Sequence, residues 1–403
     1  MRISPLQISS QEQAHKIMTS LGVATEGIKI MSPKMLGAAF KVEGVNSWEA
    51  NIIKQHLLSL GTDAAIHRQA LLKKTKTSVL VFGSVSQLRK LCQKLKNQPF
   101  GLKKVSEDIS SYLNNILREE FSLRARNKIF KIKRPLVCGI VNITPDSFSK
   151  DGLLAQAKGK KISDLALEKV EGLVKEGADM VDVGGESTRP FAKRVPEKEE
   201  IKRVTPAIKA IRKKFKKLLI SVDTYKYSVA KEAVNEGADI INDISALRAA
   251  PQISSLIKRY KLGCVLMHMK GTPRTMQLNP KYKDVLGEIT DFFQERLNFC
   301  KNAGIDSKQI LLDPGIGFGK RVEDNLTIIN ELYKFKVFGL PIFLGLSRKS
   351  FIGKVLDIEV GERLVGTIAA SAVSILKGAN ILRVHDVGQT KQAARLVSQI
   401  IGN

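Results

Sequence analysis

Polar side chains able to bind ligands or move protons recur, in the C-terminal two-thirds of the chain, at one kind of place: the end of a short apolar run. In order they are Asn142; Glu186 with Ser187, Thr188 and Arg189; Asp223; Asn242 with Asp243; His268; Asp313; Ser347 with Lys349; and Arg383 with His385. Carboxylates accept hydrogen bonds from N–H groups, Asn and Lys donate to ring nitrogens and carbonyls, and Arg, Lys and His suit oxyanions. Taken singly these residues decide little, because an Asp at the end of a strand serves as readily as a helix N-cap. Their joint meaning depends on whether the fold brings them together.

The runs that carry them are LVCGIVN, ADMVDVGG, LLISVDT, ADIINDI, CVLMHM, ILLDPG, IFLGLS and NILRVHD, each followed by a helix-like pattern from Pro135 onward. Short, nearly continuous apolar strands separated by crossover helices predict a parallel sheet covered on its faces, and eight of them predict a (β/α)8 TIM barrel. A doubly wound open sheet uses the same alternation, but no GxGxxG follows the first run. In a barrel the strand ends share one mouth, so the scattered polar residues become one constellation. The loops after the seventh and eighth strands, a frequent phosphate site in this architecture, carry Arg348, Lys349, Ser350, Arg383 and His385. That set favours a phosphorylated ligand.

With 403 residues the chain has room for a barrel of about 250 residues and a smaller unit. Residues 1–117 predict a small α/β domain: GAAFKVEG and TSVLVFGS read as strands, SWEANIIKQHLLSL and SVSQLRKLCQKLKN as helices. The charged stretch 118–134 reads as a basic linker, and the barrel occupies 135–403. Hydrophobic residues at 43% and charged residues at 26% describe a globular protein with a sizeable core. No apolar run nears the roughly 20 residues of a membrane span and the start lacks a signal-peptide stretch, which points to the cytoplasm and no membrane contact. Cys92, Cys138, Cys264 and Cys300 are scattered without a CxxC pair, so they read as small buried hydrophobes in a reducing compartment. A net charge of +27 invites a nucleic-acid partner. The basic residues, however, are spread along helical stretches with few interleaved aromatics, and a solvated basic surface, without nucleic acid, accounts for them better.

Several multi-residue segments resemble one family. They are VNITPDSF from Val141, VDVGGESTRP from Val181, SVDT from Ser221, INDIS from Ile241, MHMKGTP from Met267, LDPGIGFGK from Leu312, GLSRKSFIG from Gly345 and RVHDV from Arg383. In type and order they resemble dihydropteroate synthases, over essentially residues 135–403. The EANIIKQHLLSLGTDAAIHR stretch of the first domain, from Glu49, resembles, far less specifically, an N-terminal extension of some longer members. The resemblance implies a transferase of folate biosynthesis that condenses 6-hydroxymethyl-7,8-dihydropterin pyrophosphate with p-aminobenzoate, giving 7,8-dihydropteroate and pyrophosphate. It implies pterin binding by Asp223, Asn242, Asp313 and Lys349, and a grip on the pyrophosphate by Thr188, Arg383 and His385. Asn142 becomes the ligand of Mg2+, and Phe148, Arg189, Phe318 and Ser350 the aminobenzoate pocket. Asp151, Arg189 and Lys349 become the residues closest to the chemistry, and a homodimer is the implied assembly.

The assignments agree with the chemistry of the ligand. A pterin edge bearing NH and amino donors suits carboxylates, and magnesium commonly takes few protein ligands beside substrate phosphates. Two departures stand out: Lys150, Asp151 and Gly152 replace the family's Asp-Gly-Gly, which shifts the loop carboxylate by one place, and Phe191 stands where a Gly is common. Two other readings use many of the same residues: a methyltetrahydrofolate-dependent corrinoid methyltransferase, which needs no pyrophosphate grip, and a non-catalytic pterin-binding protein.

Overall fold

The computed structural model describes residues 2–8, 10–70, 76–144, 152–153, 161–187 and 194–402. They form two compact units, one of Met1–Arg118 with Val337–Gly339 and one of the remainder. In the first, strands β1 (Gly37–Val45), β2 (Ala64–Ile66) and β3 (Thr77–Ser84) make an antiparallel sheet in the order β1-β3-β2. The helices Ser47–Leu58 and Val85–Lys96 fall within a few residues of their sequence positions, for local reasons. Val85, Leu88, Leu91, Cys92 and Leu95 recur on one face and are buried, while Ser84 caps the helix through Gln87.

The stretch 118–134 is more than a linker. It holds a hairpin, β4 (Phe121–Ala125) with β5 (Lys128–Ile132), whose charges conceal a period-two alternation. Phe121, Leu123 and Ala125 point inward and are buried, with Ile132 opposite. Two of its arginines are held: Arg124 bonds Asp306 at 2.9 Å, and Arg126 donates to the carbonyl of Ala238 at 3.0 Å.

Eight parallel strands follow: β6 (Leu136–Asn142), β7 (Met180–Gly184), β8 (Leu219–Asp223), β9 (Ile240–Asp243), β10 (Gly263–Met267), β11 (Ile310–Asp313), β12 (Phe343–Gly345) and β13 (Ile381–Val384). Their order is β11-β10-β9-β8-β7-β6-β13-β12, and a parallel bridge between Leu312 and Ile342 joins the two ends. The result is a (β/α)8 barrel, as the eight apolar runs predict. One residue from each strand, Cys138, Met180, Leu219, Ile240, Val265, Leu311, Phe343 and Ile381, enters a single core cluster with Phe121, Leu123, Ala125 and Ile132 of the hairpin. That cluster is the floor of the barrel. All four cysteines are free and buried, in keeping with their reading as small hydrophobes. Among the described residues no helix is long and apolar enough to cross a membrane.

Candidate active site at the barrel mouth

Strand periodicity sets what lies above the floor. Two residues beyond Met180, Leu219, Ile240, Leu311 and Ile381 stand Asp182, Ser221, Asn242, Asp313 and Arg383, and the same interior therefore turns from apolar to ionic within one step. A further step brings Asn142, Gly184, Asp223, Ser347 and His385 to the rim.

Burying a carboxylate costs several kcal/mol unless a cation and hydrogen bonds compensate. Here Arg383 compensates two. Its Nε donates to Asp182 Oδ2 at 2.6 Å and its Nη2 to Asp223 Oδ2 at 2.7 Å. Asn242 Nδ2 donates to the same Asp182 oxygen at 2.9 Å. Burial alone lowers the basicity of the guanidinium, but Asp182 and Asp223 outweigh it and keep Arg383 firmly charged. Burial pushes the Asp223 carboxyl up to about 7 against the pull of Arg383, with Asp182 adding to the rise. The second oxygens, Asp182 Oδ1 and Asp223 Oδ1, are buried and have no hydrogen-bond partner among the described residues. Two acceptors are thus presented together, which suits a ligand with an edge of N–H donors.

On the other side of the interior, Asp313 Oδ1 accepts from the backbone N–H of Gly315 at 2.7 Å, and burial raises its pKa while Lys349 opposes the rise. Lys349 donates to the carbonyl of Ile316 and lies 4.7 Å from the centre of the Phe318 ring. Loss of solvation lowers its pKa to about 8, with Asp313 holding it up. His385 Nδ1 lies 3.0 Å from Ser347 Oγ, so the loops after β12 and β13 are tied together. Beside the mouth is a cleft of about 880 Å3 bordered by Glu186, Tyr225, Ile244, Arg248 and Met267.

Most of the sequence-predicted residues meet here. Asp223, Asn242, Asp313, Lys349 and Arg383 share the interior, and Asn142 and His385 stand at its rim. Ser350 opens the helix Ser350–Leu356 next to Lys349 and is exposed. Phe148, Asp151, Thr188 and Arg189 lie outside the described residues. Arg383 faces inward between two carboxylates, which accounts for Nε and Nη2. Arg348, grouped from sequence with the phosphate-binding set, is instead held by Asp386 in a bidentate pair at 2.9 and 2.6 Å.

The sequence reading passed over Asp182, hidden inside the run MVDVG; its place two residues beyond an inward Met was the available signal. It also passed over Lys226. This buried ammonium reaches Glu186 at 2.7 Å, Glu200 at 2.5 Å and the Val195 carbonyl at 2.6 Å, and Glu186 accepts from Val195 N–H at 2.9 Å.

Residues 138–385 match the family described as pterin binding enzyme. The chain is 44% identical over 274 residues to the dihydropteroate synthase of Haemophilus influenzae, covering 68% of this chain and 97% of that protein. It is 42% identical over 275 residues to that of Escherichia coli K12, covering 68% and 95%. Its structure is similar to Yersinia pestis dihydropteroate synthase in a sulfonamide drug complex, with a TM-score of 0.66 at 38% identity, over 70% of this chain and 100% of that one. The Xanthomonas albilineans dihydropteroate synthase with 4-aminobenzoic acid gives 0.64 at 38% identity, over 70% and 99%. With an ionic barrel mouth of matching residues and relatives covered nearly from end to end, the chain belongs to the dihydropteroate synthase family of pterin-binding enzymes.

Proposed function

We propose that the barrel condenses 6-hydroxymethyl-7,8-dihydropterin pyrophosphate with p-aminobenzoate to form 7,8-dihydropteroate and pyrophosphate. The observation that carries this reading is the pair of buried acceptors Asp182 Oδ1 and Asp223 Oδ1, without a hydrogen-bond partner among the described residues and held by Arg383 beside Asn242 and across from Asp313 and Lys349. A pterin offers the N–H edge those acceptors need and a ring carbonyl and nitrogens for Asn242 and Lys349. In the reaction the C–O bond between methylene and pyrophosphate breaks, its electron pair leaves with the pyrophosphate, and the methylene cation is shared with the pterin ring. The aromatic amine nitrogen attacks that carbon, forms the C–N bond and sheds one proton. The protein forms no covalent bond; it positions the reactants and stabilises developing charge.

Individual roles follow the same logic. Asp223, Asn242, Asp313 and Lys349 hold the pterin, while His385 and the remaining guanidinium nitrogen of Arg383 face the phosphates with Thr188. Phe318, beneath Lys349, and Ser350 line the amine pocket with Phe148 and Arg189. Asp151 supplies the loop carboxylate. Asn142 suits Mg2+: a Cβ on Gly184 would lie 3.9 Å from Asn142 Oδ1 and 3.7 Å from Asp223 Oδ2, so two oxygen donors flank the same point of the rim. Magnesium takes few protein ligands when phosphates and waters supply the rest, and when bound there it neutralises charge on the departing pyrophosphate. Val365 and Ile400, 78% and 72% exposed on the helices Leu364–Leu376 and Val387–Ile401, support pairing with a second copy, and the cytoplasm is the compartment that fits.

The test is pyrophosphate release from the pterin substrate with Mg2+, with and without p-aminobenzoate. Release that requires the amine, matched by dihydropteroate formed, is expected. Binding without release would leave a non-catalytic pterin-binding protein.

A further inference from the structure

Lys320 ends the turn that begins at Asp313, and it is buried. Its Nζ lies 3.0 Å from His268 Nδ1, 3.3 Å from the His268 carbonyl and 3.1 Å from the Phe318 carbonyl. The turn packs hard against the end of β10. A Cβ on Gly315, at φ +70°, would come within 1.9 Å of the His268 carbonyl oxygen, and one on Gly319, at φ +65°, within 2.3 Å of that of Lys270. The turn in turn carries Ile316, whose carbonyl anchors Lys349, and Phe318, whose ring lies beneath it.

We propose, on the pterin-binding reading above, that Lys320 is a positioning residue: it locks the Asp313–Lys320 turn onto β10 and is the third cation that keeps the pterin-facing Asp313 ionised.

The charge balance of the interior supports this. Asp182 and Asp223 bond Arg383 directly, whereas Asp313 has no salt bridge among the described residues and feels Lys349, Lys320 and Arg383 through space. Among the described residues, the carboxylates Asp182, Asp223 and Asp313 stand against the cations Arg383, Lys349 and Lys320, and removing Lys320 leaves an excess negative charge where burial already disfavours one. The groups acting on Lys320 are His268 and Lys270 beyond β10, Asp313 and Lys349, and Asp324 of the helix Val322–Asn330, itself bonded to Arg321 at 2.9 Å. Burial, reinforced by Lys320, drives the His268 pKa down to about 2, so its neutral ring accepts from the ammonium. Burial also brings Lys320 down to about 7, with Asp313 opposing, so its charge is sensitive to what binds beside it.

The experiment is calorimetric titration of the full chain with 6-hydroxymethylpterin, which carries no phosphate, between pH 5.5 and 8.5, for the native protein, Lys320→Met and Lys320→Arg. Loss of the cation raises the Asp313 pKa, so in Lys320→Met the acid limb of binding is expected to move up by about one pH unit, with about tenfold weaker binding at the acid end. Lys320→Arg keeps the charge and is expected to keep the native limb, whatever its affinity. Parallel profiles for the native and Met proteins overturn the proposal. If neither variant folds, 15N-lysine spectra of the native protein, Lys349→Met and Lys336→Met decide: burial also lowers Lys336, so three ammonium groups titrating below the ordinary lysine range are expected, one of them lost in neither variant. The absence of a depressed lysine common to all three proteins overturns the role of Lys320. A native protein that binds no pterin at any pH overturns the pocket assignment instead.

Discussion

The floor and the mouth of the barrel are built from the same eight strands, two residues apart, yet they solve opposite problems. At the floor every strand contributes an apolar side chain or a thiol, and the hairpin β4–β5 closes the layer with Phe121, Leu123, Ala125 and Ile132. Among the described residues, no member of that cluster has a buried side-chain nitrogen or oxygen without a partner. At the mouth Asp182, Asp223 and Asp313 are held out of water by Arg383, Asn242 and one backbone N–H, and Asp182 Oδ1 and Asp223 Oδ1 have no partner among the described residues. The floor is stable because it is finished; the mouth is strained electrostatically because a ligand is needed to finish it. Stability and function are thus separated along one strand period, a division common where binding sites are pre-organised.

The contrast is broken most severely at the hairpin. A chain beginning at Phe130 lacks β4 and with it Phe121 and Leu123, each contributing roughly 1.5–3 kcal/mol on burial. It is expected to yield little soluble folded protein, whereas a chain beginning at Glu119 keeps the floor and is expected to fold and turn over. Circular dichroism and the pyrophosphate assay on both chains check this; equal behaviour would show that the hairpin is a linker after all.

Single substitutions sharpen it next. Phe343→Ala empties a fully buried floor position and is expected to cost about 3–5 kcal/mol in urea unfolding, with KM for both substrates unchanged in the folded protein. Arg383→Met, which strands two carboxylates, is expected to cost a similar 3–5 kcal/mol and to abolish turnover. Unaltered activity in the Met variant contradicts the ionic role given to the mouth.

A smaller effect tests the electrostatic strain directly. The Asp223 pKa is raised from 3.8 to about 7 in the folded chain, so its contribution to stability is present below the ordinary value and is lost as pH rises through about 7. Without ligand, Asp223→Asn is therefore expected to gain on the native protein between pH 5 and 8, by on the order of 1 kcal/mol. Unfolding curves at the two pH values check the sign. Smallest is Asp151→Asn: if Asp151 has the role proposed for it, the pyrophosphate assay is expected to show kcat lowered roughly tenfold with pterin affinity unchanged, because an acid acting on developing charge is felt mainly in the transition state.

Much of this was legible in the amino-acid order. Eight apolar runs with polar ends are a strong periodic signal, and Asp223, Asn242, Asp313 and Lys349 could be placed at one mouth because barrel topology leaves them no other. What stayed hidden was pairing. Asp182 sits among valines and looks like a strand residue until Arg383, 201 positions later, is seen to bind it. Arg348 looks free until Asp386 is seen to hold it in two hydrogen bonds. The hairpin was masked by its own lysines and arginines, since charge density on one face obscures the alternation of the other. Long-range ion pairs have no local sequence signature; strands do.

The central claim is that the half-satisfied carboxylates of the mouth are the pterin site, and calorimetry of 6-hydroxymethylpterin against the native protein and Asp223→Asn tests it most directly. With the amide oxygen retained by Arg383, Nδ2 of the new side chain stands where Asp223 Oδ1 stood and presents a donor to a donor. Binding is expected to weaken by roughly 1.5–3 kcal/mol, as for loss of a hydrogen bond to a charged group. Equal affinity in the two proteins would contradict the account.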